Sequence, residues 1–505
     1  MVSLRKTLLA PAAAKAFSET MLPFRNCILI FSIVFAFSAA CARSSAVFEK
    51  QLSQSPLRPA ETPASIAPET IGYLLFDPES GRVIEEYNRR LPLIPASTTK
   101  LLTIGFAIHE LGSDYRFETT LGYNGKQNTG DLILAGGEDP DLHVRDLLYL
   151  LGQFQRQIGT EWKGRFYYAE EPLFARNSID ESMDAEAAYN PSLSSLSLDS
   201  NIIYLRWSRT GKSEELYAIP SLSGFEFSAL DTSAKDDDDR EVLYSGEGEG
   251  WLLRKPKQPE GMRAIPVKNA ALFTARVFQK LASTRGIHIP DPQPKGSYRP
   301  AHTIATHKSR PLEDIAERIL ATSDNMMTET LLLHLARKKN GGPLPLREAA
   351  AVLENHYRTS MPGLDWTGFH LVNGSGLTSQ NRITAEQLVA SLLYADSIKG
   401  GVERLLPIGG WTQGLLGRLN RPDETFRVVA KAGGIYYSVS LAGFLYPKSG
   451  RRLAFAILIS DLKKRQSYEM AADRNSRKKR NEASAWMLQN RKAIDDIVSS
   501  WISRY

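Results

Sequence analysis

Ser97, Thr98, Thr99 and Lys100 place a hydroxyl and an amine three residues apart, directly behind Pro95 and Ala96. Leu101, Ile104, Ile108 and Leu111 recur at helical spacing and Gly112 supplies a stop, so the spacing predicts a helix opening at the serine. Residues i and i+3 share one helix face, which sets the Lys100 amine beside the Ser97 hydroxyl. A serine hydroxyl is a poor nucleophile until a neighbouring base accepts its proton, and a neutral lysine can be that base. At a helix N-terminus Ser97 also has unpaired backbone N–H groups nearby, suited to a developing oxyanion. Alone, the same four residues equally fit an N-cap serine with a solvated lysine. Two more fragments carry comparable chemistry. Ser323, Asp324 and Asn325 offer a hydroxyl, a carboxylate and an amide between two helical runs. Lys431, Ala432, Gly433 and Gly434 put an ammonium at the end of a strand-like run, with flexible glycines behind it.

These fragments need elements to bring them together. Residues 71–76 and 83–87 are strand-like runs around Asp77-Pro78-Glu79-Ser80-Gly81, a turn sequence, and predict a hairpin leading into the Ser97 helix. Residues 426–430, 435–446 and 453–460 predict three further strands, the last two joined by a turn at 447–450. A terminal amphipathic run follows, with Trp486, Ile494, Ile497 and Trp501 at helical spacing. Hairpin and meander together predict an α+β fold with one antiparallel five-stranded sheet flanked by helices. Helical patterns return at 311–320 and 326–335. Residues 123–300, rich in turns and short strands, read as a mainly β inserted region, leaving a catalytic body in two parts, 71–122 and 301–505. The acidic run 236–239 reads as a solvated loop.

The 505 residues suffice for two or three domains, and 42% hydrophobic with 23% charged residues is ordinary for a globular chain. A net charge of +6 is modest at this length, and the most basic run, 474–480, reads as a solvated loop. No basic stretch is interleaved with aromatics, which disfavours a nucleic-acid partner. The eight histidines show no H-E-x-x-H spacing, which argues against a zinc peptidase. Both cysteines, Cys27 and Cys41, lie near the N-terminus. Arg25, the apolar run 27–37 and the small residues Ser38-Ala39-Ala40 describe an export signal spanning 1–42, with normal proportions if counted from Met21. Cys41 after Ala39-Ala40 fits the cleavage and acylation site of a bacterial lipoprotein, although Ser38 stands where a larger aliphatic residue is usual; cleavage after Ala42 fits too. The proline-containing stretch 43–70 reads as an extended linker. A lipidated Cys41 would tether a folded body to a membrane surface in the periplasm.

Ser-X-X-Lys, Ser-Asp-Asn and Lys-Thr-Gly are the signature of penicillin-interacting serine enzymes, and all three occur here in the required order, the last as Lys431-Ala432-Gly433. The chain resembles the D-alanyl-D-alanine carboxypeptidase/endopeptidase family, low-molecular-mass penicillin-binding proteins with a large insertion after the nucleophile helix. The resemblance extends to Gly130-Asp131-Leu132-Ile133-Leu134-Ala135-Gly136-Gly137, Leu193-Ser194-Ser195-Leu196-Ser197-Leu198 and Asn373-Gly374-Ser375-Gly376-Leu377, and covers roughly residues 70–462.

The resemblance implies that Ser97 attacks the bond between two terminal D-alanines of a peptidoglycan stem peptide and that Lys100 takes its proton. It further implies that Ser323 relays a proton to the leaving amine, Asn325 holds the substrate amide or Lys100, and Lys431 supplies positive charge. Gly433, Gly434 and Asp324 would complete the substrate site, with the N–H groups of Ser97 and Gly434 as oxyanion hole. It implies no metal or organic cofactor, and β-lactams as inhibitors. Ala432 and Gly434 replace two hydroxyl residues of the family pattern, one of which helps hold the substrate carboxylate. Losing a hydrogen bond to a charged group costs about 1.5–3 kcal/mol, and Tyr436, Tyr437 and Ser438 are the nearby hydroxyls that could replace it. Asn373 in place of an aspartate is a milder departure. Carboxypeptidase and endopeptidase action both stay open, as do a related esterase or β-lactamase and a catalytically weakened peptidoglycan-binding scaffold.

Overall fold

A computed structural model describes residues 66–210, 213–230, 240–246, 248–254 and 258–505. The export signal, Cys41 and the 236–239 run lie outside the described residues. Strands β1 (Ile71–Asp77), β2 (Arg82–Tyr87), β3 (Val428–Ile435), β4 (Ser438–Leu445) and β5 (Leu453–Ser460) form one sheet in the order β3-β4-β5-β1-β2. Every neighbouring pair is antiparallel, so the expected hairpin and meander are joined through β1 and β5, with Tyr73 opposite Ile457. The β1–β2 turn is built as its residues require. The Asp77 carboxylate accepts from the backbone N–H groups of Glu79 and Ser80 at 3.0 and 3.2 Å, and Gly81 takes φ 66°.

Five helices frame this sheet: α1 (Lys100–Leu111), α2 (Leu312–Thr322), α3 (Asn325–Asn340), α4 (Ala385–Ser397) and α5 (Arg477–Arg504). Alternation along the strands decides which helix each side chain meets. Leu74, Phe76, Ala454, Ala456 and Leu458 share a core with α1, α2, α3 and α4, whereas Tyr73, Leu75, Phe455, Ile457 and Ile459 share another with Ile494, Ile497, Val498 and Trp501 of α5. Helices cover both faces, so β1 and β5 read as unbroken apolar runs rather than alternating ones. Each fully buried Leu, Ile or Phe contributes about 1.5–3 kcal/mol by leaving water.

Between α1 and α2 the chain builds a second five-stranded sheet, ordered Pro292–Pro294, Arg165–Ala169, Asp131–Ala135, Glu118–Asn124, His302–Lys308. Helices Val144–Gln157 and Ala270–Ser283 pack against it around a separate core that includes Leu132, Leu147, Trp162, Phe166 and Phe278. Strand Glu118–Asn124 and the edge strand His302–Lys308 pair with each other and connect directly from α1 and into α2. Two three-stranded sheets complete this region. Among the described residues, no helix is long and apolar enough to cross a membrane.

Candidate active site

Ser97 lies on a single 3-10 turn, Ala96–Thr99, that runs into α1 at Lys100. Helix and stop are as the spacing predicts, with Gly112 at φ 79° closing α1, but the α-helical part starts at the lysine and not at the serine. Ala96 takes φ 46°, a left-handed conformation that costs a side-chain-bearing residue about 1–3 kcal/mol. The neighbouring loop holds it there: Gly376 (φ +78°) lies so close that a Cβ would fall 1.8 Å from the Ala96 carbonyl oxygen.

The Lys100 side chain is fully buried. Its Nζ lies 3.1 Å from Ser97 Oγ, 2.6 Å from Asn325 Oδ1 and 2.8 Å from the Ser375 carbonyl oxygen. A neutral amine has two N–H groups and one lone pair. Asn325 Oδ1 and Ser375 O can only accept, so they take the two N–H groups and leave the lone pair for the Ser97 hydroxyl proton. Burial pulls the Lys100 amine down to about 7, against the opposing pull of Glu329 and Asp324. The leading cause is therefore loss of water, not the charge of Lys431.

Lys431, also buried, reaches Ser323 Oγ at 3.0 Å and the Ala432 carbonyl oxygen at 2.8 Å. Burial, then Lys100, then Arg418 push its amine well below the ordinary lysine value. Ser323 takes φ 59° where α2 ends. Asp324 then caps α3, accepting from Met327 N at 2.9 Å, and receives Ser200 Oγ–H at 2.5 Å from the inserted region. Asn325 Nδ2 donates to the Tyr189 carbonyl at 2.8 Å, which fixes the amide so that Oδ1 faces Lys100. The inserted region thus touches two members of the Ser-Asp-Asn fragment.

Gly433 brings the edge strand β3 against the nucleophile. A Cβ there would lie 2.8 Å from both Ser97 N and the Pro95 carbonyl oxygen, and 2.4 Å from Ser440 Oγ. Gly434 follows at the same edge, opposite Val439. Ser97, Lys100, Ser323, Asn325, Lys431 and Gly433 therefore meet in one place, although 334 positions separate the first from Lys431. Of the hydroxyls considered as replacements, that of Ser438 is engaged elsewhere, and the rings of the two tyrosines are packed on other aromatics. Ser438 Oγ donates to the Ile94 carbonyl at 2.8 Å, Tyr437 packs on Trp486 at 5.7 Å, and Tyr436 packs on Tyr468 at 5.2 Å.

Glu329 and Ser375 were not singled out by the sequence as site residues. The buried Glu329 carboxylate accepts from the backbone N–H groups of Gly374 and Ser375 at 2.9 and 2.7 Å, and this turns the Ser375 carbonyl onto Lys100. The available signal was its spacing: Glu329 lies four residues after Asn325, on the same face of α3, inside an apolar helix. Asn373 does what its loop needs without a charge, accepting from Gly376 N at 3.0 Å and donating to the Leu377 carbonyl at 3.1 Å. Among the described residues, one group has metal-ligand character, His109, Glu110 and His356. It sits at the far end of α1 from Ser97, and the Lys339 ammonium already holds Glu110 at 2.8 Å.

Comparison with known proteins bears on the family and the fold. The model of the D-Ala-D-Ala carboxypeptidase 3 (S13) family matches residues 60–480. The D-alanyl-D-alanine carboxypeptidase DacB of Haemophilus influenzae is 24% identical over 425 residues, covering 77% of this chain and 85% of its own. A D-alanyl-D-alanine carboxypeptidase of Actinomadura sp. is 23% identical over 431 residues, covering 77% of each chain. The crystal structure of penicillin binding protein 4 from H. influenzae superposes with a TM-score of 0.66 at 22% identity, covering 77% of this chain and 90% of that one, and so shares its fold. With the family model spanning both halves of the catalytic sheet and everything between them, the chain belongs to the D-Ala-D-Ala carboxypeptidase 3 (S13) family of serine peptidases.

Proposed function

We propose that this chain is a serine D,D-peptidase that cleaves the D-Ala-D-Ala bond of peptidoglycan stem peptides through an acyl-enzyme on Ser97. The observation that carries the reading is the buried Lys100 amine, 3.1 Å from Ser97 Oγ and held near 7 by lack of water. At neutral pH a sizeable fraction of Lys100 is unprotonated and aimed at the hydroxyl, which is what nucleophilic attack on an amide requires.

In the first step Lys100 accepts the Ser97 proton as Oγ bonds to the carbonyl carbon of the penultimate D-alanine. The Ser97 and Gly434 N–H groups stabilise the oxyanion. Ser323, hydrogen-bonded to Lys431, passes a proton to the departing nitrogen and recovers one from the Lys100 ammonium, so D-alanine leaves as a neutral amine with its carboxylate and Lys100 is again a free base. Asn325 holds Lys100 in register throughout. Water, deprotonated by the same lysine, then adds to the ester and releases the shortened peptide. β-Lactams would acylate the same serine; the H. influenzae relative has been crystallised with a β-lactam. The cell envelope is where such a substrate lies, and the export signal at 1–42 fits delivery there, with Cys41 as the candidate lipid anchor.

Incubation of purified protein with fluorescent penicillin, beside Ser97→Ala, tests the reading. Covalent labelling of the wild type alone supports it. Labelling that survives Ser97→Ala, or no labelling and no release of D-alanine from a D-Ala-D-Ala peptide, overturns it. Digestion of cross-linked cell wall with the same sample separates carboxypeptidase from endopeptidase action.

A further inference from the structure

Gly434 leaves the α5 face of the edge strand without a side chain, one residue along from the Gly433 that faces Ser97, and another residue fills that space. A Cβ on Gly434 would lie 2.8 Å from Arg491 Nη2 and 3.7 Å from Arg491 Cζ. The guanidinium arrives from α5, whose Met487, one turn earlier, touches the same point at 3.1 Å. Among the described residues, Arg491 makes no hydrogen bond and no ion pair. Its natural partner one turn on, Asp495, is taken by Arg418, whose Nη2 and Nε lie 2.7 and 3.1 Å from the Asp495 carboxylate. Among the described residues, Lys431 also contacts no carboxylate and is hydrogen-bonded to Ser323 Oγ and the Ala432 carbonyl.

Arg418 therefore lies within electrostatic reach of both Lys431 and Arg491 at this end of β3, and among the described residues its own hydrogen bonds take up the Asp495 carboxylate. The crowding is felt electrostatically: Arg418 lowers the proton affinity of both Lys431 and Arg491. A guanidinium without a partner at this strand edge favours an anion, and its five donors in a planar fork match a carboxylate in particular.

The substrate class under Proposed function carries that carboxylate in a fixed place. With the scissile carbonyl at Ser97 and its oxygen at the Gly434 N–H, the carboxylate of the departing D-alanine is one carbon beyond the scissile nitrogen. We infer that Arg491 binds the terminal carboxylate of the substrate across Gly434, making it a specificity-determining residue contributed by the C-terminal helix. Gly434 is then not simply a lost hydroxyl: a larger residue there would displace the guanidinium. The inference rests on the D,D-peptidase reading and sharpens it toward substrates with a free C-terminus.

The test compares a diacylated L-Lys-D-Ala-D-Ala tripeptide with its C-terminal amide, using the full chain and Arg491→Ala, Arg491→Lys and the pair Arg491→Ala with Gly434→Thr. Arg491 is exposed on a helix surface, so thermal melts of the variants should match wild type. Wild type should prefer the acid over the amide. Arg491→Ala should lower kcat/KM for the acid about 10- to 150-fold and leave the amide within about twofold. Arg491→Lys should fall between, and Gly434→Thr should restore part of the loss in Arg491→Ala. An unchanged acid-to-amide ratio in Arg491→Ala, an equal fall for both substrates, or no preference in wild type overturns the role of Arg491 while leaving the peptidase reading intact. Turnover of neither peptide by wild type, with no penicillin labelling, overturns both.

Discussion

Removing water sets the chemistry at the residue scale. Lys100 is brought to about 7 chiefly by burial, and Glu329 opposes this by favouring the charged form. Glu329→Gln should therefore let the amine fall further, moving the acid limb of the acylation rate to lower pH; a pH profile that stays put would assign Glu329 a purely structural role. The same burial links to stability. Lys100 binds its proton less tightly folded than unfolded, so the unfolded chain holds more protons from about pH 7 to 10.5, and stability should rise with pH across that window. Lys100→Met removes this term and relaxes the depression of Lys431. Urea unfolding should show wild type gaining on the variant by up to about 1.4 kcal/mol per pH unit above pH 7. The Ser-X-X-Lys spacing made the hydroxyl–amine pair legible from sequence. The cause of the low proton affinity was not, because burial of Lys100 depends on Ser375 and Glu329, hundreds of residues away.

Bare backbone joins the elements. β3 can lie against the nucleophile turn because Gly433 has no side chain, and the 373–377 loop can back Ala96 because Gly376 has none. Gly376→Ala would put a Cβ at 1.8 Å from the Ala96 carbonyl and strain a left-handed residue, so it should destabilise the protein by at least about 2 kcal/mol and sharply cut penicillin acylation. Equal melting temperatures and equal labelling would contradict that account. Strand pairing was legible here for β1, β4 and β5, which are apolar runs, but β3 was read as 426–430, because Lys431 and the two glycines that carry it on to Ile435 break the apolar pattern. The 3-10 start at Ala96–Thr99 was not, because no local propensity marks it; the packing of Gly376 behind Ala96 imposes it. Arg491 was invisible for a similar reason: helical periodicity marks the apolar face of α5 but not which arginine rises beside the sheet edge.

On the scale of the whole molecule, the inserted region is wired to the catalytic body by charge. Asp141 accepts from Arg310 Nη2 at 2.6 Å and Arg318 Nη1 at 2.5 Å, and His143 sits between Asp141 and Asp199, with Nδ1 2.5 Å from Asp199 Oδ1. Hydrogen bonds to Asp141 and Asp199 raise His143 to about 9. Its stabilising effect is full below the unfolded value near 6.5 and is lost as pH rises through about 9. His143→Gln should therefore lower the melting temperature more at pH 6 than at pH 10. An equal loss at both would show that the charge on His143 does not stabilise the Asp141–Asp199 cluster on which Arg310 and Arg318 dock. Turn-rich composition put the boundary at 123, inside the strand Glu118–Asn124, because composition does not mark where one sheet gives way to the next. The contacts Ser200–Asp324 and Tyr189–Asn325, which carry the inserted region into the site, join residues more than a hundred positions apart and leave no local signature.

The central claim, a neutral buried lysine activating Ser97, is tested most directly by the rate of penicillin acylation across pH 5.5–9, with the adduct placed by mass spectrometry. The account predicts acylation on Ser97, rising with pH through an apparent midpoint near 7 and abolished in both Ser97→Ala and Lys100→Met. An adduct on any other residue, or a rate flat across pH 6–8, would contradict it.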